Sequence, residues 1–102
     1  MASALESIRK ALVSASTAEA LTTLDIFCNS AVLVVDKDNT TGYMQFGGAS
    51  VDGNSGRVRS GDKLVINRDE VFNLKDIYVY GGTIGDAVDC FVVRSSIYGD
   101  LA

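Results

Sequence analysis

Two cysteines, Cys28 and Cys90, and a scatter of carboxylates are the side chains with reach for covalent or acid–base chemistry. Histidine is absent, which removes the commonest general base and the commonest metal ligand. Asp62, Asp69, Glu70 and Asp76 could supply the carboxylate pair of a hydrolase. All four stand among turn-forming residues, where Asp serves the backbone by hydrogen bonding, and no two are marked as a converging pair. The stretch DKDN (Asp36 to Asn39) offers the oxygen ligands calcium prefers, but the spaced series ending in glutamate that an EF-hand loop needs does not follow. Asn39-Thr40-Thr41 spells a glycosylation acceptor, which carries weight only in an exported chain. The expectation is a protein that is not an enzyme and binds neither cofactor nor metal.

The cysteines are too far apart for a CxxC redox or zinc motif. Each falls on an alternating stretch, facing the same way as its apolar neighbours, as a small buried hydrophobe does. A disulfide between them would close a loop of about sixty residues, worth roughly 4 kcal/mol in the chain-entropy view. With no export signal a reducing compartment is expected, which favours free thiols.

Two stretches, GYMQFGGAS (Gly42 to Ser50) and DIYVYGGTIGD (Asp76 to Asp86), both run through alternation into an aromatic and a glycine pair. Neither pair precedes a helical pattern or a P-loop lysine, so phosphate cradling is not indicated. They read as corners, where glycine turns the chain with positive φ at a strand end. Arg57, Arg59, Lys63 and Arg68 form a mild basic cluster; the interleaved Asp62, Asp69 and Glu70 point to surface or subunit salt bridges.

The elements that must position these residues fit one domain. A chain of 102 residues has little room for a second core, and 47% apolar with 22% charged residues is the balance of a folded protein. A net charge of −4 argues against a general grip on nucleic acid or anionic lipid. No apolar run is long enough to span a membrane, and charges at Glu6, Arg9, Lys10 and Glu19 interrupt any signal-peptide core. A soluble protein is expected.

Residues 1–23 read as an amphipathic helix and linker, with a β domain over 24–102. In MASALESIRKALVSAS, Leu5, Ile8, Leu12 and Val13 lie at helical spacing, Ser3 and Glu6 form a capping box, and Arg9 and Lys10 suit the C-terminal end. Ser16 and Glu19 offer a second box. So short a helix is marginal alone and needs a surface to lie on. From Leu24 the period becomes two. LDIFC, AVLVVD, YMQF, KLVINR, DIYVY and AVDCFVVR are strand candidates, with AVLVVD a central strand covered on both faces. Six to eight short strands separated by Gly, Asn and Asp turns predict a mainly β fold, an antiparallel β-sandwich or jelly-roll-like barrel.

The order CNSAVLVVD, NTTGYMQFGG, GDKLVI, then NLKDIYVYGGTIGDAV resembles small β-sandwich structural proteins of tailed bacteriophages, over roughly Leu24 to Val93. These include head decoration (cement) proteins and fibre-anchor segments. The resemblance implies a virion structural protein made in the host cytoplasm, most naturally a head decoration protein that binds and stabilises the capsid lattice. Its partners would be the major capsid protein or other virion proteins, in a homo-oligomer with a trimer favoured, and neither nucleic acid nor membrane. A fibre anchor, head–tail connector or tail protein is the alternative, and a carbohydrate- or ligand-binding sandwich comes next. Interface candidates are Leu5, Ile8, Leu12 and Val13 on the helix, and Tyr43, Phe46, Tyr78 and Tyr80 gathered at one end of the sandwich.

Overall fold

A computed structural model describes residues 5–94. Eight strands follow in order: β1 (Leu5–Ala11), β2 (Glu19–Ala20), β3 (Phe27–Val35), β4 (Tyr43–Gly47), β5 (Arg57–Arg59), β6 (Lys63–Asn73), β7 (Tyr78–Tyr80) and β8 (Ala87–Arg94). One 3₁₀ turn, Leu74–Asp76, is capped by Asn73, whose side chain accepts from the Lys75 amide. The strands form two separate antiparallel sheets, β1-β8-β3-β6 and β2-β7-β4-β5, so the architecture is an open sandwich and not a closed barrel.

Alternation explains the core. On β3, Ala31, Leu33 and Val35 point inward beside Val92, Cys90 and Val88 of β8. Met44 and Val79 meet them from the other sheet, and Leu12, Leu21, Ile26 and Leu74 close the ends. Fully burying one Leu or Ile side chain is worth about 1.5–3 kcal/mol. The expected double cover of β3 is not seen. Its outward Val32 and Val34 are half-buried, because among the described residues no layer lies on that side of the sheet.

The helix expected over Met1 to Ser16 is not seen in its described part, residues 5–16. Residues 5–11 are the edge strand β1, paired with β8 from Leu5↔Val93 to Ala11↔Ala87; Met1–Ala4, with the capping Ser3, lie outside the described residues. The supposed helical stripe therefore scatters. Leu5 points out and is 73% exposed, Ile8 faces in, Leu12 is core at 2%, and Val13 is 72% exposed in the following loop. The physical reason is the open flank of β8. Helix propensity contributes only tenths of a kcal/mol per residue, whereas pairing seven residues satisfies a strand edge and sets Arg9 opposite Asp89. Glu19 likewise caps no helix. It sits on β2, accepts from the Val13 and Ser14 amides and pairs with Lys10 at 3.0 Å, tying the first loop to β1. The boundary drawn after residue 23 thus separates no helix from a β domain, since β1 and β2 belong to the two sheets.

Strand β6 carries a large bulge. Ser30 pairs with Asn67 and Cys28 with Phe72, so the four residues 68–71 of β6 stand against Asn29 alone. The Asn29 amide group reaches across to the Asp69 carbonyl. Such a bulge bends the strand and re-aims its side chains.

Candidate interaction surfaces

The positions singled out for chemistry do not converge. Cys28 and Cys90 are unbonded and fully buried, as alternation predicted. Desolvation pushes both thiols up, Cys90 to about 12 with a further contribution from Asp89, which disfavours the reactive thiolate at both. Asp36 serves Arg9, which also forks onto both Asp89 oxygens at 3.0 Å. The Asp36 carboxyl is held low, chiefly by the Arg9 hydrogen bond and then by the Asp38 amide. Asn39 accepts from the Ala87 amide and donates to its carbonyl, while buried Asp86 accepts from the Thr40 and Thr41 amides. DKDN is thus part of a loop pinned to the start of β8. Asp62 lies in the β5–β6 turn, Asp69 and Glu70 in the bulge, and Asp76 in the 3₁₀ turn.

The glycine pairs are not positive-φ corners. Left-handed backbone occurs at Gly61, Gly85 and Ser16, and at neither pair. Gly81 is required by packing, since a Cβ there would lie 2.5 Å from Leu12 Cδ1. Gly48 differs, because a Cβ there would meet nothing within 4 Å.

Three surfaces remain. The first is the outer face of β1-β8-β3-β6. The register lines Ser7, Phe91, Val32 and Val65 in one row across all four strands, with Leu5 and Val93 paired beside it. Leu5 at 73%, Val65 at 54%, Val93 at 48% and Phe91 at 43% exposure leave an apolar face open to solvent. The Arg9–Asp36–Asp89 cluster bounds it at one end, as a polar rim bounds an interface. Sequence reading had placed Phe91, Val93 and Val65 on strands but not on a common surface.

The second surface is the outer face of the other sheet. Alternation puts Tyr43, Tyr78 and Tyr80 there, half-buried, with the Arg57 guanidinium 4.1 Å from the Tyr43 ring centre. The 48–56 loop is tied over this face by buried Gln45, which donates to the Gly53 carbonyl at 2.8 Å. Phe46 is not with the tyrosines. It pairs with Val79 on the inner face and packs against the core.

The third surface is a lateral mouth between the sheets, where three-residue β5 is too short to cover eleven-residue β6. It holds a cavity of about 620 Å³ walled by Phe27, Phe46, Leu64, Ile66, Phe72 and Ile77. Gly47 and Gly48 also line it. Arg68 and Asp76 add charge to the lining, with the Arg68 guanidinium 5.8 Å from the Phe72 ring centre. No ion pair involves Arg57, Arg59, Lys63 or Arg68 among the described residues, so the salt bridges expected of the basic cluster are not seen there.

No protein-family model, curated protein or solved structure matches this chain.

Proposed function

We propose that the protein is a structural subunit of a tailed-bacteriophage particle, a head decoration protein that binds the capsid lattice through the outer face of β1-β8-β3-β6. The observation that carries this reading is the exposed row of Phe91, Val32 and Val65 with Leu5 and Val93 beside it. Monomeric proteins rarely leave such a patch uncovered, and an apolar centre with a charged rim is the pattern of a protein interface. The resemblance along Leu24 to Val93 supplies the kind of assembly, and copies grouped as a homotrimer would place three such faces on one lattice axis.

Cosedimentation of the purified protein with empty heads and, separately, with isolated tails from candidate phages tests the reading. Saturable binding to heads is expected, lost in Phe91→Glu and Val65→Glu variants that melt like the parent. Binding to tails alone, or to heads with both variants unimpaired, would sink it.

A further inference from the structure

Among the described residues four strands end the two sheets, and three of them are blunted. β2 and β5 span two and three residues, and β6 is broken by its bulge. Short strands and bulges are usual guards against edge-to-edge pairing. β1 has neither. Its seven residues pair with β8 without a register shift, and the sequence holds no proline to interrupt them.

The direction of its backbone groups follows from the register. The Leu12 amide donates to the Asp86 carbonyl, one rung past Ala11↔Ala87, while Ala87 turns its own amide and carbonyl away, to Asn39 and Asp36. Directions alternate along an antiparallel ladder, so Glu6, Ile8 and Lys10 bond toward β8 and Leu5, Ser7, Arg9 and Ala11 aim their backbone groups outward. Nothing among the described residues pairs with that outward row. We propose that this edge pairs with β1 of a second copy, antiparallel about a twofold axis through Ile8, to make one eight-stranded sheet.

The sequence of the edge selects a second copy. A twofold axis normal to the sheet must pass through a residue position, since neighbouring side chains point to opposite faces. Centred on Ile8, LESIRKA meets itself over all seven residues: Leu5 opposite Ala11, Glu6 opposite Lys10, Ser7 opposite Arg9, and Ile8 opposite Ile8. Each copy's Glu6 then faces a Lys10, giving two cross-strand pairs of opposite charge. Lys10 also pairs with Glu19 of its own chain, and two carboxylates are within the reach of its three donors. One-residue shifts fail. Centring on Ser7 sets Glu6 against Ile8, and centring on Arg9 sets Arg9 against Arg9 and Ile8 against Lys10. In the Ile8-centred sheet the outer faces of both copies lie on one side. On the attachment reading, on which this consequence alone rests, they form one continuous docking surface. A threefold grouping on a shell would use other surfaces.

Sedimentation of the full chain over a concentration series should show a monomer–dimer equilibrium. Ser7→Pro removes an outward amide and no bond to β8, so the monomer should melt like the parent. Its dimer should weaken by about tenfold or more, because two edge hydrogen bonds are lost. Cysteines read the register, since opposed residues of a bonded rung lie about 5.5 Å apart between Cα atoms, within disulfide reach. Under mild oxidation a mixture of Ser7→Cys and Arg9→Cys chains should give the mixed crosslinked dimer, and either variant alone should not. Cys28 and Cys90 are buried and take no part. If Ser7→Pro does not fold, the crosslinking result decides. A monomer at every concentration, a Ser7→Pro dimer as tight as the parent's, or Ser7→Cys crosslinking alone as well as in the mixture would overturn the proposal. So would an association lost in Ser7→Pro that runs past two copies, which joins β1 to a different edge. Head binding by the Phe91→Glu variant is a separate readout, so failure of the twofold contact and failure of the attachment face are distinguishable.

Discussion

Single side chains hold this molecule at a few points where sequence spacing gave little warning. Glu19 is one. Burial by itself would raise its carboxyl, but the Val13 and Ser14 amides and Lys10 outweigh that and hold it below the ordinary value. A carboxyl depressed in the folded state stabilises fully above its unfolded pKa, near 4.3–4.5, and that stabilisation is lost as pH falls through the lower folded value. Glu19→Gln should therefore flatten the acid limb of a stability–pH curve below about pH 4.5, and Glu19→Ala should cost about 2 kcal/mol at neutral pH by urea unfolding. The cysteines behave as core atoms. Cys90→Ala should cost about 1 kcal/mol or somewhat more, and reductant should leave the parent melting temperature unchanged.

Among elements, β1 separates what the residues disclosed from what they did not. From Phe27 onward, period-two alternation is strong and β3, β4, β6, β7 and β8 were legible, because inward Leu33, Cys90 and Val92 alternate with solvent-side neighbours, whereas three-residue β5 is too short to show a period among its turn residues. β1 was hidden, because Ala, Leu, Lys and Arg favour helices and only the open flank of a strand some eighty positions away makes them extended. The bulge was equally invisible, since it exists only in the register of β6 against β3. The mouth inherits that difficulty: Phe46 could be singled out, but its partnership with Phe72 and Gly48 arises from stacking two sheets. A strand and a helix make opposite predictions here. Leu5→Asp should shift stability by less than about 0.5 kcal/mol, whereas Leu12→Ala should cost about 2–5 kcal/mol as a buried Leu truncation. Equal effects of the two would restore the helical stripe. Deleting residues 1–11 should lower the melting temperature sharply, because it opens an edge of β8 and removes Ile8 from the core.

For the whole molecule, the pairing of the first described strand with the last sets how it folds. Contacts that join β1 to β8 close nearly the full chain, which slows folding into the millisecond-to-second range typical of small sandwiches. Stopped-flow refolding of the parent should fall in that range. The exposed face has its own whole-molecule effect, since an uncovered apolar sheet promotes association. Phe91→Glu should raise solubility and leave denaturant m-values unchanged.

The Leu5↔Val93 pair has a mechanical consequence. Load applied between those two residues pulls β1 and β8 apart crosswise, and the rungs of an antiparallel ladder then fail one after another instead of sharing the force. Tension delivered through the two ends of the described chain peels the module open at Leu5 and runs toward Leu12, where the core and the Leu12–Asp86 backbone bond resist. Pressure spread over the broad face loads no rung in this way. A module with this wiring is weak as a link in a tether and strong as a tile, and stretching it between handles at residues 5 and 93 should give a low-force release of β1 before the rest of the sandwich yields.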